Sequence, residues 1–363
     1  MGRPGISPVS RRDPRSGALD RAAGGPLLSD RAGGDESPLI VLATPLFGVP
    51  IAGDLARRIE SVGGVRVVAV SPDGLVHEEE EILRAAEVLA RGNIPASVLD
   101  HVIARAPRLR WVHSFLAGVD RVVTPLTRAR NLTVTNARGV FSPPIAEYVV
   151  MMCLAISRHL PQLLELQRER TWQPLQGTEL GGITVGIVGF GSIGQEIAAR
   201  LGPFGTRVIA TRRHPERGPG DSTKVKLLPL DGLDQLLGEA DIVVVTAPLT
   251  DETAGLIGAA QLQQMRESGW LINVARGRLL DETALRAALE AGWIAGAVLD
   301  VFNDEPLPPD SPLYGVPNLL ITPHTSWSSD RVQERSLDLF IDNLRRYRAG
   351  EPLANIVDLD AGY

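Results

Sequence analysis

The chain has 363 residues, 44% of them hydrophobic and 22% charged, and a formal net charge of −6. That length suits two domains with full cores, and the acidic balance gives no reason to expect nucleic acid or an anionic membrane as a partner. No apolar run approaches the ~18 residues of a membrane span, and the single cysteine, Cys153, excludes an intrachain disulfide and points to a reducing, cytoplasmic setting.

Residues 1–37 are rich in Gly, Pro, Arg and Ser and have no apolar period. They lack the apolar centre of a secretory signal, and their acidic residues argue against a transit peptide, so they read as a disordered tail. From Pro38 to Val140 apolar runs alternate with helical patterns. Strands are expected at Leu39–Ala43, Arg66–Val70, Val88–Ala90, Leu109–His113 and Leu132–Thr135, with helices such as Ala52–Ser61 and Ala96–Arg105 between them. This alternation predicts a parallel sheet, and the turn from Phe115 to Asp120 falls at a strand's carboxyl end, where ligands gather. Spacing alone favours reading that turn as an ordinary strand-to-helix connection.

Pro143–Leu160 reads as a helix that is apolar on most faces, suited to a linker between domains or to packing on a second subunit. A more polar arm follows over Leu163–Trp172. Next comes an apolar run at Ile183–Val188, the sequence Gly189-Phe190-Gly191-Ser192-Ile193-Gly194, a helix with Ile197, Ala198 and Leu201 on one face, and a strand at Arg207–Ala210. Strand, glycine turn, helix, strand is the setting in which G-x-G-x-x-G signals a dinucleotide site. Gly189 makes the tight turn, Gly191 lets the backbone approach a pyrophosphate, and Gly194 packs the helix on the strand. The helix N-terminus supplies free N–H groups for the phosphates.

The alternation continues with a helix at Leu230–Leu237, a strand at Ile242–Thr246, a helix at Ala259–Arg266 and a strand at Gly269–Val274. A helix at Asp281–Ala291 capped by Asp281, strands at Ile294–Leu299 and Leu319–Thr322, and a last helix at Ser329–Arg348 that crosses back to the first domain complete it. Three features fall at successive strand ends: Arg276, the segment Asp300 to Glu305, and His324. Singly each has a structural explanation. Beside a dinucleotide they form a set suited to reducing a 2-keto acid: a guanidinium that grips a carboxylate at two points, a carboxylate that orients a histidine, and a histidine that protonates the nascent alkoxide.

These residues, with GFGSIG, APLTDETAGLI, NVARG, LDVFNDEPLP and ITPHTSW in order, resemble the D-isomer-specific 2-hydroxyacid dehydrogenases over nearly all of the chain from Pro38 onward. The resemblance implies an α/β protein with two Rossmann-like, doubly wound parallel-sheet domains around a cleft. The substrate domain is discontinuous, at 38–142 and 327–363, and the dinucleotide domain spans 143–326. It implies Arg276 as substrate arginine, His324 as acid/base that also adjoins the cofactor, and Glu305 as its carboxylate partner. Asp300 is implied at the nicotinamide carboxamide and Ser192 and Ile193 at the pyrophosphate. Ala247, Val274 and Ala275 are implied as further cofactor contacts, and Ala117 and Gly118 as the turn whose N–H groups hold the substrate carboxylate. A homodimer built on the 143–160 helix is the expected assembly, and no metal is expected.

Formate dehydrogenases carry glutamine where Glu305 stands, so the chain resembles the keto-acid reducers. NAD-preferring members end the second strand of the nucleotide fold with an acidic residue. Here Arg212 stands there with Arg213 beside it, which suits a 2′-phosphate and favours NADP over NAD. The expected activity is NADPH-dependent reduction of glyoxylate or hydroxypyruvate. The rivals are a D-3-phosphoglycerate-type dehydrogenase, against which stands the lack of a C-terminal regulatory domain after the last helix, and a nucleotide-sensing, corepressor-like binding protein. Phe47, Phe115, Leu116 and Trp327 are candidates either for the pocket lining or for core packing.

Overall fold

The structure is a computed structural model. It describes residues 38–360 except 75–79, 120 and 219–224, so the tail at 1–37 and Asp120 lie outside the described residues. Five strands, β1 (Leu39–Ala43), β2 (Val65–Ala69), β3 (Val88–Arg91), β4 (Trp111–Ser114) and β5 (Thr133–Thr135), form a first sheet in the order β2-β1-β3-β4-β5. Seven more form a second: β6 (Thr184–Val188), β7 (Arg207–Thr211), β8 (Val225–Leu228), β9 (Ile242–Val245), β10 (Trp270–Asn273), β11 (Gly296–Leu299) and β12 (Leu319–Ile321). Their order is β12-β11-β10-β9-β6-β7-β8. Every pairing within the two sheets is parallel.

Parallel strands need crossovers, and here helices cover both faces of each sheet. In the first sheet the helices are α1 (Asp54–Glu60), α2 (Glu80–Ala85), α3 (Ala96–Arg105) and α4 (Pro125–Ala129). The strands alternate accordingly. Ile40, Leu42, Leu89 and Val112 pack with Leu83, Leu99 and Val102 on one face, while Leu39, Val41, Val88 and Trp111 take the other. The second sheet carries α5 (Ser142–Ser157), which leads into α6 (Leu160–Arg168), then α7 (Ser192–Leu201), α8 (Leu233–Glu239), α9 (Ala259–Gln264) and α10 (Glu282–Glu290). Val185, Ile187, Val244 and Val298 pack on α5 and α7, whereas Val243, Val245, Leu271 and Leu299 face α8 to α10. The last helix, α11 (Val332–Ala349), returns to the first sheet and fills the Leu39/Val41/Trp111 face with Leu337, Phe340, Leu344 and Tyr347.

Beyond shifts of a few residues at element ends, two elements depart from the sequence expectation. The long helix ends at Ser157, where His159 takes the left-handed conformation (φ 54) and α6 leaves at a bend of 62°. Strand β8 is half-exposed at the sheet edge and was not anticipated. Among the described residues no single helix is long and apolar enough to cross a membrane. The bent pair α5–α6 passes that test only jointly, and α5 is largely buried.

Candidate active site

In the second sheet the strand order reverses between β6 and β9, so a crevice opens at the carboxyl ends of those strands. The glycine turn lies there. Gly189 has φ +98, and a Cβ on it would stand 2.6 Å from the Ala247 Cα at the end of β9, so only glycine lets the two loops meet. A Cβ on Gly194 would lie 2.9 Å from the Gly189 carbonyl, which seats α7 against the turn. Gly191, by contrast, faces open space, and no side chain caps α7. Uncapped N–H groups behind a bare backbone suit a pyrophosphate, so the residues present fit the dinucleotide that the sequence predicts. Ser192 and Ile193 are half-buried on the first turn, and Ala247, Val274 and Ala275 line the adjoining strand ends as buried residues.

Past β7 the chain turns with Arg212 and Arg213. The Arg212 amide donates to the Leu228 carbonyl, and its guanidinium Nη1 donates to the Gly218 carbonyl at 2.8 Å. Arg213 Nη2 pairs at 2.6 Å with Glu252, a carboxylate from the loop after β9 that is 75% exposed. Both guanidiniums therefore stand at the end of β7, beside the turn in which Phe190 N donates to the Thr211 carbonyl.

The other strand ends carry the polar set. Asn273, wholly buried at the end of β10, accepts from Ala275 N at 3.1 Å and donates to the Arg276 carbonyl at 2.9 Å, fixing the Arg276 turn. Arg276 Nη1 donates to the Ala275 carbonyl. A Cβ on the next residue, Gly277, would overlap the Phe302 carbonyl group, so the Arg276 turn and the segment after β11 are in backbone contact. Within that segment Glu305 uses both oxygens. Oε1 accepts from Phe302 N at 3.0 Å and Oε2 holds His324 Nδ1 at 2.7 Å. Asn303 N donates to Glu282 of α10, whose carboxyl burial holds above the usual range. With Nδ1 of His324 engaged, Nε2 is the ring nitrogen left for proton exchange.

Asp300 is fully buried. Oδ1 accepts from the Thr322 hydroxyl at 2.6 Å and from Thr325 N at 2.9 Å, and Oδ2 accepts from Ser326 N at 3.0 Å. The carboxylate expected at the nicotinamide thus also ties down the loop that carries His324. Thr322 in turn meets the Tyr148 hydroxyl of α5 at 2.7 Å, and burial pushes that phenol up to about 12.

On the first sheet, the half-buried Ala117 and Gly118 follow β4, and the Ala117 carbonyl accepts from Asn136 Nδ2 at 2.9 Å. Phe115 belongs to the core, wholly buried against Phe340 and His113. Phe47 and Trp327 are half-buried and stack at 5.5 Å, with Phe141 edge-on at 6.1 Å to each, so one aromatic cluster joins the first sheet's loop, the start of α5 and the His324 loop. Asn273, Asn136 and Tyr148 were not singled out from the sequence. Among the described residues no group of three or more His, Cys, Asp or Glu side chains is arranged to hold a metal.

The description "D-isomer specific 2-hydroxyacid dehydrogenase, NAD binding domain" matches residues 150–326. A glyoxylate reductase from Thermofilum pendens is 35% identical over 313 residues, covering 81% of this chain and 91% of that protein. Among solved structures, a D-isomer specific 2-hydroxyacid dehydrogenase from Xanthobacter autotrophicus, in complex with NADPH and MES, is 32% identical with a TM-score of 0.76. The match covers 90% of this chain and all of that one. An NADPH-dependent glyoxylate/hydroxypyruvate reductase from Sinorhizobium meliloti, in complex with NADP and sulfate, is 27% identical with a TM-score of 0.73 over the same shares.

Proposed function

Because the chain belongs to the D-isomer specific 2-hydroxyacid dehydrogenase family, we propose that it is a 2-keto acid reductase that uses NADPH in preference to NADH and acts on glyoxylate or hydroxypyruvate. The observation that carries this reading is the His324–Glu305 pair at 2.7 Å, across a backbone contact from the Arg276 turn. In this reading Gly189, Gly191, Ser192, Ile193, Gly194, Ala247, Val274, Ala275 and Asp300 hold the dinucleotide, and Arg212 and Arg213 meet its 2′-phosphate. The bound cofactor supplies the hydride.

The chain's own groups do the rest. Arg276 and the N–H groups of the Ala117–Gly118 turn bind the substrate carboxylate, the guanidinium by two parallel bonds. As negative charge grows on the carbonyl oxygen, Arg276 polarises it and His324 Nε2 gives up its proton. Glu305 keeps the imidazole in that orientation through its bond to Nδ1. The Phe47–Phe141–Trp327 cluster, three residues beyond His324 at Trp327, supports a small substituent on the keto acid.

Preference for NADPH is supported by the two arginines where an acidic residue would serve NAD, and by the NADPH and NADP bound in the two solved structures above. We place the substrate domain at 38–142 and 327–363 and the dinucleotide domain at 143–326. We also infer a cytoplasmic homodimer: Met151, Leu154, Leu160, Leu163 and Leu164 leave an exposed apolar stripe along α5 and α6. Light scattering of the purified protein at twice the chain mass tests the dimer. Steady-state oxidation of NADPH and NADH with glyoxylate, hydroxypyruvate and 3-phosphohydroxypyruvate tests the activity. Turnover of the phosphorylated acid alone would overturn the substrate assignment, and no turnover would favour a nucleotide-binding protein without catalysis.

A further inference from the structure

We infer that Tyr148 is a positioning residue for this reaction, its hydroxyl fixing the loop that presents His324 by way of Thr322 and Asp300. The inference rests on the role given to His324 above.

The direction of the hydrogen bonds follows from the chemistry of the groups. Asp300 Oδ1 accepts from the Thr322 hydroxyl at 2.6 Å, so that hydroxyl's proton is committed to the carboxylate. The contact of 2.7 Å between Tyr148 Oη and Thr322 Oγ1 is then a bond in which tyrosine donates. Beyond Asp300 the order propagates through the loop. Its carboxylate accepts from Thr325 N and Ser326 N, and its backbone carbonyl accepts from His324 N at 2.8 Å. Residues 322, 324, 325 and 326 are thus all tied to Asp300, and Tyr148 adds the contact that comes from α5.

The loop needs such restraint. His324 sits at φ 49, a region that residues with a side chain seldom occupy, so it stays there only where its surroundings hold it. A chain of part-buried hydrogen bonds also polarises along its length, each donor strengthening the next. Tyr148 is 8% exposed, and its ring packs in the core beside α7 and the second sheet. A ring that merely fills space has no use for a hydroxyl. Tyr148→Phe therefore subtracts one O–H and keeps the packing.

The test measures turnover, ligand binding and amide exchange on the full chain. For Tyr148→Phe we expect kcat to fall about 3- to 10-fold, the size of one net hydrogen bond, with the KM of the keto acid and the Kd of NADPH within about twofold. In the ligand-free protein the amides of Thr325 and Ser326 exchange faster than in wild type. Because Tyr148 acts through Thr322, the Tyr148→Phe/Thr322→Val double variant loses no more turnover than Thr322→Val alone. Wild-type turnover and exchange in Tyr148→Phe, or losses that multiply in the double variant, would overturn the inference. A wild type that reduces no 2-keto acid would instead overturn the functional reading and the catalytic half of this inference with it. Unchanged exchange in an active protein overturns this inference alone.

Discussion

At the His324 end of the cleft the polar groups are held by neighbours that are themselves held. Glu305 uses both oxygens, the Asp300 carboxylate accepts three donors, and Asn273 clasps the Arg276 turn from both sides. At the β7 end, two arginines lean on a loop carbonyl and on a mostly exposed carboxylate. The first arrangement suits chemistry, in which a displacement of an ångström costs rate. The second suits recognition, in which a flexible cation can exchange one anionic partner for another. The contrast predicts that changes at the first end cost turnover and changes at the second alter cofactor choice.

The largest effect tests the first half of that contrast. His324→Ala should lower kcat by ~10²–10⁴-fold while NADPH titration gives a Kd close to wild type. Loss of cofactor binding together with activity would mean that the histidine holds the fold instead. Arg212→Asp addresses the other end. Charge-assisted hydrogen bonds contribute roughly 1.5–3 kcal/mol each, so the ratio of kcat/KM for NADPH over NADH should drop by about ten- to a thousand-fold, with keto acid preference unchanged. Equal use of both cofactors by wild type would defeat the assignment.

A third prediction concerns the first sheet, away from either end. His113 is wholly buried, and burial lowers its pKa from 6.5 to about 3. The unfolded chain binds a proton there below pH 6.5 and the folded chain does not. This residue's contribution to stability is therefore complete above that pH and is lost as pH falls toward 3, by up to ~1.4 kcal/mol per unit. Melting temperatures between pH 7 and 4 should fall more steeply in wild type than in His113→Leu, and parallel curves would count against it. The smallest effect sharpens the contrast most. Glu252→Gln removes one competing carboxylate from beside Arg213, and because exposed ion pairs are weak we expect only about a two- to fivefold gain in kcat/KM for NADPH. A loss would show that Glu252 orients Arg213 rather than competing for it.

The elements easiest to read in the sequence are those with one dominant signal. The continuous apolar run of β1 and the helix Ala96–Arg105 were predicted with the bounds observed. Asp281 caps α10 by accepting from Thr283 N and Ala284 N. Strand β8 was missed because a four-residue edge strand containing Lys226 buries too little to show a period. The break at His159 has no glycine to announce it, although Pro161, in the first turn of α6, is the residue type that opens a new helix. At the site, residue types at strand ends were legible because topology collects them there. Tyr148 and Thr322 were not: they are 174 positions apart, and their partnership exists only once α5 packs beside β12. Asn136 and Asn273 serve backbone turns, and sequence spacing carries no trace of that service.

The return of α11 to the first sheet has a consequence for synthesis. The face formed by Leu39, Val41 and Trp111 stays only partly covered, by Ile59 of α1, until Leu337, Phe340 and Leu344 have been made, nearly the whole chain later. The second sheet has its strands in one unbroken stretch and can close while the ribosome is still at work. The first must wait, presenting apolar surface that α1 covers in part and α11 completes. On this scaffold the order of translation makes the nucleotide-fold half the earlier to mature, and a nascent chain stalled before residue 332 is the form most exposed to chaperones.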